Sequence, residues 1–265
     1  MFYSRFLPEI PLKQYLDTIK DEYRGIELGL DSYYARDITE TPHLFNELTD
    51  LAAKYHLSFT VHAAFYRVCF SHPEKTLREA AKKEILRSFQ IAETLGAKKI
   101  TIHPSGFENL EHLAMPEEVE RREEEALFSL CEKAGEAGLI LCLENMPKQK
   151  YFPAYAWDLR RLVHLTSIMP RQSFGFTIDA GHALVSGIDI NPYLPELAPF
   201  IEHFHLHDND GSFDQHRFFL PAHETFWKEF WQTVKAIDYK GSFCIEVKDL
   251  AGQIEAVRKA KEWLK

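Results

Sequence analysis

The chain has 265 residues, of which 45% are hydrophobic, and it carries a net charge of −9 at pH 7. This length is enough to bury a large core, and no Gly-, Ser- or Pro-rich linker interrupts it, so we expect one domain over residues 1–265. The acidic balance disfavours nonspecific adhesion to nucleic acid or to an anionic membrane surface.

Targeting signals and cysteine motifs are missing from the sequence. Residues 1–5 lack the basic and apolar regions of a secretory signal, and no apolar run approaches the roughly 20 residues of a membrane helix. We therefore expect a cytoplasmic protein without membrane association. The four cysteines form no C-x-x-C pair, which argues against a zinc knuckle, a redox motif or a disulfide framework. We expect them to be reduced and mostly buried.

Apolar strand-like runs alternate with amphipathic stretches along the whole chain, which is the pattern of βα units on a parallel sheet. Eight units fit a closed barrel better than an open doubly wound sheet, which usually has a Gly-rich phosphate turn. Neither G-x-G-x-x-G nor G-x-x-x-x-G-K-[ST] occurs. The predicted fold class is α/β, a single (β/α)8 TIM barrel with a parallel eight-stranded core. Its strands are predicted at residues 2–6, 25–30, 57–62, 98–103, 139–144, 174–179, 202–207 and 242–247.

Two predicted helices carry clear boundary signals. The segment 71–74 (Ser-His-Pro-Glu) predicts a capping box after the third strand, and Gly96 predicts the end of that helix. Its apolar stripe is predicted from Leu77, Ala81, Ile85, Phe89 and Ala92. After the fourth strand, the acidic run 117–125 is interpreted as a solvated helix face.

Six of the strand-like runs end on a side chain that can bind a metal ion. A parallel barrel gathers the C-terminal ends of its strands around one axis, so we expect these side chains to meet in one pocket. Imidazole and carboxylate ligands without thiolate suit Zn, Mn or Co, with Mg possible at a carboxylate-rich position. The six residues are His62, His103, Glu144, Asp179, His205 and Glu246.

Further candidate ligands follow the sixth and seventh strands. In Asp179-Ala180-Gly181-His182, an acid and an imidazole are three residues apart, across a glycine that permits a sharp turn. Histidines at 203, 205 and 207 share one face of the seventh strand; we rank His205 first as a ligand, His207 second, and interpret His203 as structural.

The loop after the seventh strand adds Asp214 and His216, at positions i and i+2, where two ligands can hold one ion. Each candidate has an ordinary alternative when taken singly. Glu144 or Glu246 could cap a helix or pair with an arginine, and His62 or His103 could be buried core histidines. Their joint occurrence at strand ends favours a shared site.

Together these residues resemble the xylose isomerase-like barrel family, which includes sugar and sugar-phosphate isomerases and epimerases and the endonuclease IV class of abasic-site nucleases. The isomerase branch implies one metal ion on Glu144, Asp179, His205 and Glu246. The nuclease branch implies up to three zinc ions. It adds the matching positions His62, His103, His182, Asp214 and His216.

The resemblance implies a divalent-metal-dependent isomerase or epimerase of a small sugar or sugar phosphate, in which Glu144 and Glu246 remove and return a proton. The predicted substrate-binding residues are His182, Lys248, Phe65 and Tyr66. The alternative is an endonuclease IV-like phosphoester hydrolase acting on abasic DNA or a small phosphoester, because the full ligand set exceeds what an isomerase requires.

Duplex DNA is disfavoured as the substrate, because it needs a basic rim for its phosphates. His207 also replaces the asparagine that is usual in the nuclease branch. The oligomeric state is left open. The predicted mouth loops offer Arg36, Arg67, Lys148, Lys150 and Arg217 against Asp31, Asp37, Glu108, Glu111, Asp208, Asp210 and Asp249.

Overall fold

A computed structural model describes residues 1–7, 9–31, 39–66, 68–105, 115–148 and 154–265. Eight parallel strands pair in chain order, and β8 closes on β1, so the predicted (β/α)8 barrel is confirmed. Each strand agrees with its predicted range to within two residues at either end. The strands are β1 Phe2–Arg5, β2 Gly25–Gly29, β3 Ser58–His62, β4 Lys99–Ile102, β5 Ile140–Glu144, β6 Phe174–Asp179, β7 Ile201–Leu206 and β8 Ser242–Ile245.

Helices surround the barrel and pack their apolar faces on the strands. Short 3₁₀ turns at Ala198–Phe200 and Pro221–His223 precede β7 and α9. Within the described ranges, none of these helices is both long and apolar enough to cross a membrane. The helices are α1 Leu12–Ile19, α2 Pro42–Lys54, α3 Lys75–Thr94, α4 Pro116–Glu136, α5 Ala154–Trp157, α6 Leu159–Thr166, α7 Ala180–Val185, α8 Leu194–Leu197, α9 Glu224–Ala236 and α10 Leu250–Leu264.

The strand register sets the heights of the side chains that end the strands. Asp179 on β6 pairs with His205 on β7, which in turn pairs with Cys244 on β8. A register shift between Phe176 and Thr177 lets β7 keep this alignment. The polar ends of neighbouring strands therefore lie at the same level, at the C-terminal end of the barrel.

The four cysteines are free thiols, and three of them are buried, as the sequence predicted. Burial raises the pKa of the Cys131 and Cys142 thiols to about 12, so both are protonated at neutral pH. Within the apolar core they act as small packing residues.

Two helix predictions need correction. Helix α3 begins at Lys75 without a side-chain cap, because the Ser71 hydroxyl is buried and donates to Ser105 Oγ at 2.8 Å instead. Leu77 is 53% exposed, whereas the other four members of the predicted stripe are buried. The end at Gly96 is confirmed, with a φ of 69° that favours glycine.

The acidic run on α4 is not wholly solvated. Arg161 on α6 is buried and lies 2.6 Å from Glu120 and 2.9 Å from Glu124. Glu123 is itself buried. This part of the run joins two helices through ion pairs, which a sequence pattern of like charges does not reveal.

Candidate metal centre

Glu144, at the end of β5, lies at the centre of the pocket. Its Oε2 is 3.1 Å from Nε2 of His62 and 3.2 Å from Nε2 of His103. Its Oε1 is 3.0 Å from Nδ1 of His205. The residue is 1% exposed, so its carboxylate faces three imidazoles in a nearly water-free space.

A second group surrounds Nδ1 of His205. Besides Glu144, this nitrogen lies 3.6 Å from Glu246 Oε2 and 3.9 Å from Asp179 Oδ2. Asn145 holds Asp179 in place by exchanging two hydrogen bonds with its backbone, at 2.8 and 3.0 Å. The four side chains implied for the single-metal branch therefore meet at one point.

A third group lies beside the second and contains His182, His207, Asp214 and His216. Asp214 Oδ2 is 3.3 Å from Nε2 of His182 and 3.0 Å from Nε2 of His216. Asp214 Oδ1 is 3.6 Å from Nδ1 of His207. One nitrogen or oxygen from each of the four residues lies within 4.8 Å of every other. All nine predicted ligands thus occupy one connected cluster, although they come from six strand ends, helix α7 and the loop after β7.

The segment after β6 is a helix start rather than the predicted sharp turn. Asp179 caps α7, and its Oδ1 accepts a hydrogen bond from the backbone N–H of His182 at 2.7 Å. Gly181 has no positive φ. A Cβ there would lie 2.2 Å from Cε1 of His207, so the glycine provides space for that ring.

The charges in the cluster are strongly coupled. Burial raises the pKa of the Glu144 carboxyl, but the imidazoles of His205, His103 and His62 outweigh it and hold the pKa well below its usual value. Burial likewise opposes a charge on His182, yet the carboxylates around it, led by Asp179, raise its pKa to about 10. At neutral pH the cluster therefore keeps the Glu144 carboxylate ionised and the His182 imidazole protonated.

Glu27 on β2 is a candidate site residue that the sequence interpretation missed. It is 1% exposed, and its Oε1 lies 2.9 Å from Nε2 of His205. Its Oε2 is 2.9 Å from Nε2 of His203 and accepts from the Thr60 hydroxyl at 2.9 Å. A lone glutamate within the apolar run Gly25-Ile26-Glu27-Leu28 was the available signal. His203 also bonds Ser242 Oγ at 2.6 Å, which suits the structural role predicted for it.

We expect Glu27→Gln to weaken divalent metal binding about 10- to 100-fold, because a carboxylate behind a ligating imidazole fixes its orientation and raises its basicity. Isothermal titration of the metal-free protein with Mn²⁺ measures this. Thr60→Val, which removes only a hydrogen bond to Glu27, is the matched control, with a smaller loss. An unchanged affinity in Glu27→Gln would show that the carboxylate does not act on the ion through His205.

The predicted substrate-binding residues occupy different depths. His182 is deep in the cluster, at 4% exposure. Phe65 stacks on the ring of His103, with centroids 4.2 Å apart, and so covers the metal-ligand group from the mouth side. Tyr66 is 74% exposed, and Lys248 is exposed beside the loop of His216, whose carbonyl accepts its backbone N–H. Among the described side-chain contacts of these four residues, those of Phe65 and His182 reach the cluster, whereas Lys248 touches it through its backbone N–H.

Arg5, at the end of β1, was not predicted as a site residue. Its guanidinium lies 3.9 Å from Glu246 Oε2 and 3.2 Å from Nδ1 of His216. Burial opposes the charge of Glu246, but His205 and Arg5 outweigh it and lower its pKa to about 2. Arg5 therefore keeps this carboxylate ionised next to the cluster.

Several of the predicted rim acids accept hydrogen bonds from backbone N–H groups. Asp31 accepts from the N–H groups of Phe65 and Tyr66, and Asp249 caps α10. Asp208 is wrongly predicted as a rim residue, because it is fully buried. Asp210 pairs with Arg217 at 3.3 Å. Arg36, Asp37, Arg67, Glu108, Glu111 and Lys150 lie outside the described residues.

The donor set fits a divalent cation. Nδ1 of His207 and Oδ1 of Asp214 are buried and face each other at 3.6 Å, without a hydrogen-bond partner among the described residues. Leaving buried polar atoms unpaired is costly, and a cation between them removes that cost. Nitrogen and oxygen donors in this mixture suit Zn, Mn or Co.

The chain matches the family model described as xylose isomerase-like TIM barrel over residues 17–265. The chain belongs to this family. A curated protein with a similar sequence is the uncharacterized protein MJ1311 of Methanocaldococcus jannaschii, 24% identical over 226 residues, which are 84% of this chain and 76% of that protein.

Solved structures share the same barrel. A D-tagatose 3-epimerase-like protein superposes with a TM-score of 0.84 at 21% identity, covering 99% of this chain and 96% of its own. D-psicose 3-epimerase from Clostridium cellulolyticum H10, solved with D-tagatose, gives 0.76 at 15% identity, covering 100% and 99%. At these identities the likeness establishes the fold.

Proposed function

We propose that this protein is a divalent-metal-dependent epimerase or isomerase of a small sugar or sugar phosphate. The observation that carries the proposal is the pair of carboxylates, Glu144 and Glu246, lying 3.0 and 3.6 Å from the same nitrogen of His205. A sugar bound to an ion at this point would lie beside both carboxylates. The 3-epimerase titles of the structural neighbours support a ketose as the substrate class.

The ion is held by Glu144, Asp179, His205 and Glu246 in this proposal. When bound, a divalent cation polarises the sugar carbonyl and makes the adjacent C–H group more acidic. One of the two glutamate carboxylates takes the proton from that carbon and becomes a carboxylic acid, and the other, after taking a proton from solvent, gives that proton to the carbon. Return to the opposite face inverts the carbon, and return to the neighbouring carbon isomerises the sugar.

The surrounding residues prepare these two carboxylates. His205 and Arg5 keep Glu246 ionised, since they lower its pKa to about 2. Phe65 covers His103 and excludes water from this side of the pocket. A dry pocket strengthens the electrostatic interactions that the reaction uses.

We expect protein stripped of metal by a chelator to lose activity on D-psicose, D-tagatose and D-fructose by about 10³-fold, because a Lewis acid supplies several kcal/mol to such a transition state. Mn²⁺ or Co²⁺ should restore turnover. In D₂O, NMR should detect deuterium at the inverted carbon. Equal turnover with and without metal would contradict the metal dependence, and inversion without proton transfer would contradict the glutamate mechanism.

A phosphoester hydrolase remains the second candidate, and the observation that favours it is the additional ligand groups, one at His62 and His103 and one at Asp214 and His216. Several ions together can stabilise both attacking and leaving oxygens of a phosphoester. Cleavage of bis(p-nitrophenyl) phosphate or of an abasic duplex, with no turnover of ketoses or sugar phosphates, would favour this candidate over the epimerase.

A further inference from the structure

One ring nitrogen of His207, Nδ1, is buried without a hydrogen-bond partner in the described part of the chain. Nε2 of His205 is likewise unpaired but lies 2.9 Å from Glu27 Oε1, whereas Nδ1 of His207 lies 3.6 Å from Asp214 Oδ1. His207 is fully buried, just beyond the end of β7. Its other nitrogen, Nε2, lies 3.0 Å from Oδ2 of Asp179. Since an ionised carboxylate only accepts hydrogen bonds, Nε2 carries the proton and Nδ1 presents a lone pair.

The same reasoning applies to His182. Its Nδ1 lies 2.8 Å from the carbonyl oxygen of Asn145, which can only accept a hydrogen bond, so Nδ1 carries a proton and Nε2 is the nitrogen left to bind a cation in place of its own proton. That nitrogen faces Asp214 Oδ2 at 3.3 Å. For His216, the Glu246 carbonyl at 3.0 Å is the nearest partner of Nδ1, with the Arg5 guanidinium next at 3.2 Å. Its Nε2 then faces Asp214 at 3.0 Å.

Three imidazoles therefore turn their inner nitrogens toward one carboxylate, while their outer nitrogens are tied to carbonyl or carboxylate oxygens. This is the arrangement of ligating histidines, whose second nitrogen normally donates to such an acceptor. Ligand atoms about 2.1 Å from a four-coordinate ion lie about 3.4 Å apart. The separations from Asp214, at 3.0, 3.3 and 3.6 Å, bracket that value.

The fold makes room for His207 in this group. A Cβ at residue 181 would overlap the His207 ring, and the glycine found there allows the ring to lie against α7. The carbonyl of Gly181 accepts from the side chain of Asn209 at 2.9 Å, which fixes the chain on the other side of His207. The His207 ring is thus held on both sides, with its unpaired Nδ1 toward Asp214.

We infer that His207 is the fourth ligand of an ion also held by His182, Asp214 and His216, and that this ion is enclosed by protein ligands alone. Four protein ligands are typical of structural zinc sites, whereas catalytic sites keep an open position. The ion would tie the 208–216 loop to α7 and to the backbone of Glu246. It would thereby account for the additional ligands without a hydrolytic reaction, which goes beyond the proposed function.

Titration of metal-free protein with Co²⁺, followed by visible absorption, tests this inference because four-coordinate Co²⁺ absorbs far more strongly than six-coordinate Co²⁺. We expect one equivalent per chain to produce an intense band that azide does not alter. His207→Asn should give a weaker band that azide shifts, since it opens a position to solvent. His216→Ala should lose the band.

His62→Ala is the matched control, because it removes a histidine of the cluster outside this group and should leave the band unchanged. The inference would be overturned if azide shifted the band of the wild-type protein, or if the wild-type protein gave no intense band. This result does not depend on whether any variant folds. An unchanged band in His207→Asn would overturn the inference as well, and would leave His207 only as a partner of Asp179. None of these readings uses sugar turnover, so they are separate from the test of the proposed function.

Discussion

Glu144→Gln is expected to lower the rate of metal-dependent epimerisation by about 10³-fold, within the range that a positioned acid or base contributes. Gln keeps the size of the side chain but replaces one carboxylate oxygen by an NH₂ group, which cannot ligate a cation or accept a proton. Both oxygens are in use in this pocket, Oε1 facing His205 and Oε2 facing His62 and His103. The measurement is kcat at saturating Mn²⁺, together with deuterium incorporation from D₂O.

Glu202→Gln is the matched control for this prediction. Glu202 pairs with Arg171 at 3.0 Å and with Lys99 at 3.7 Å, near the starts of β7 and β4. In TIM barrels that end of the strands serves stability rather than catalysis. We expect its kcat to stay near the wild-type value. Activity of Glu144→Gln within tenfold of wild type would remove this residue from the proton-transfer step.

The largest effect on stability is expected for Asp208→Ala. This carboxylate is fully buried and accepts four hydrogen bonds: from the backbone N–H groups of Asn209 and Leu220, from Trp227 Nε1 and from His223 Nδ1, at 2.7 to 2.8 Å. The substitution leaves these donors without their acceptor. Each buried unpaired donor costs about 1–3 kcal/mol, so we expect the free energy of unfolding to fall by about 3 kcal/mol or more.

Urea unfolding measures this loss of unfolding free energy as a lower midpoint, with the m-value unchanged. Asp210→Ala is the comparison variant in the same loop, because Asp210 is exposed and bonds to exposed partners. Its unfolding free energy should change much less. Equal midpoints for the two variants would show that Asp208 is not the anchor between β7 and the start of α9.

The sequence by itself determined the barrel and most of the candidate site. Alternating apolar runs and helices, each run ending on a ligand type, specified both the strands and their convergent ends, because parallel strands share one C-terminal face. Candidate ligands such as Asp179 and His205 could therefore be assigned to one pocket without coordinates. Their contacts within 4 Å in the structure agree with that placement.

Only the tertiary structure decided which side chains from distant parts of the chain contact each other. Glu27 and His205 are 178 positions apart in the chain, and their 2.9 Å contact arises from the closure of the barrel. The buried position of Asp208 and the role of Gly181 beside His207 likewise depend on elements brought together by packing. Local sequence patterns report periodicity and turn chemistry. These contacts depend instead on distances between elements that are neighbours in the fold but not in the sequence.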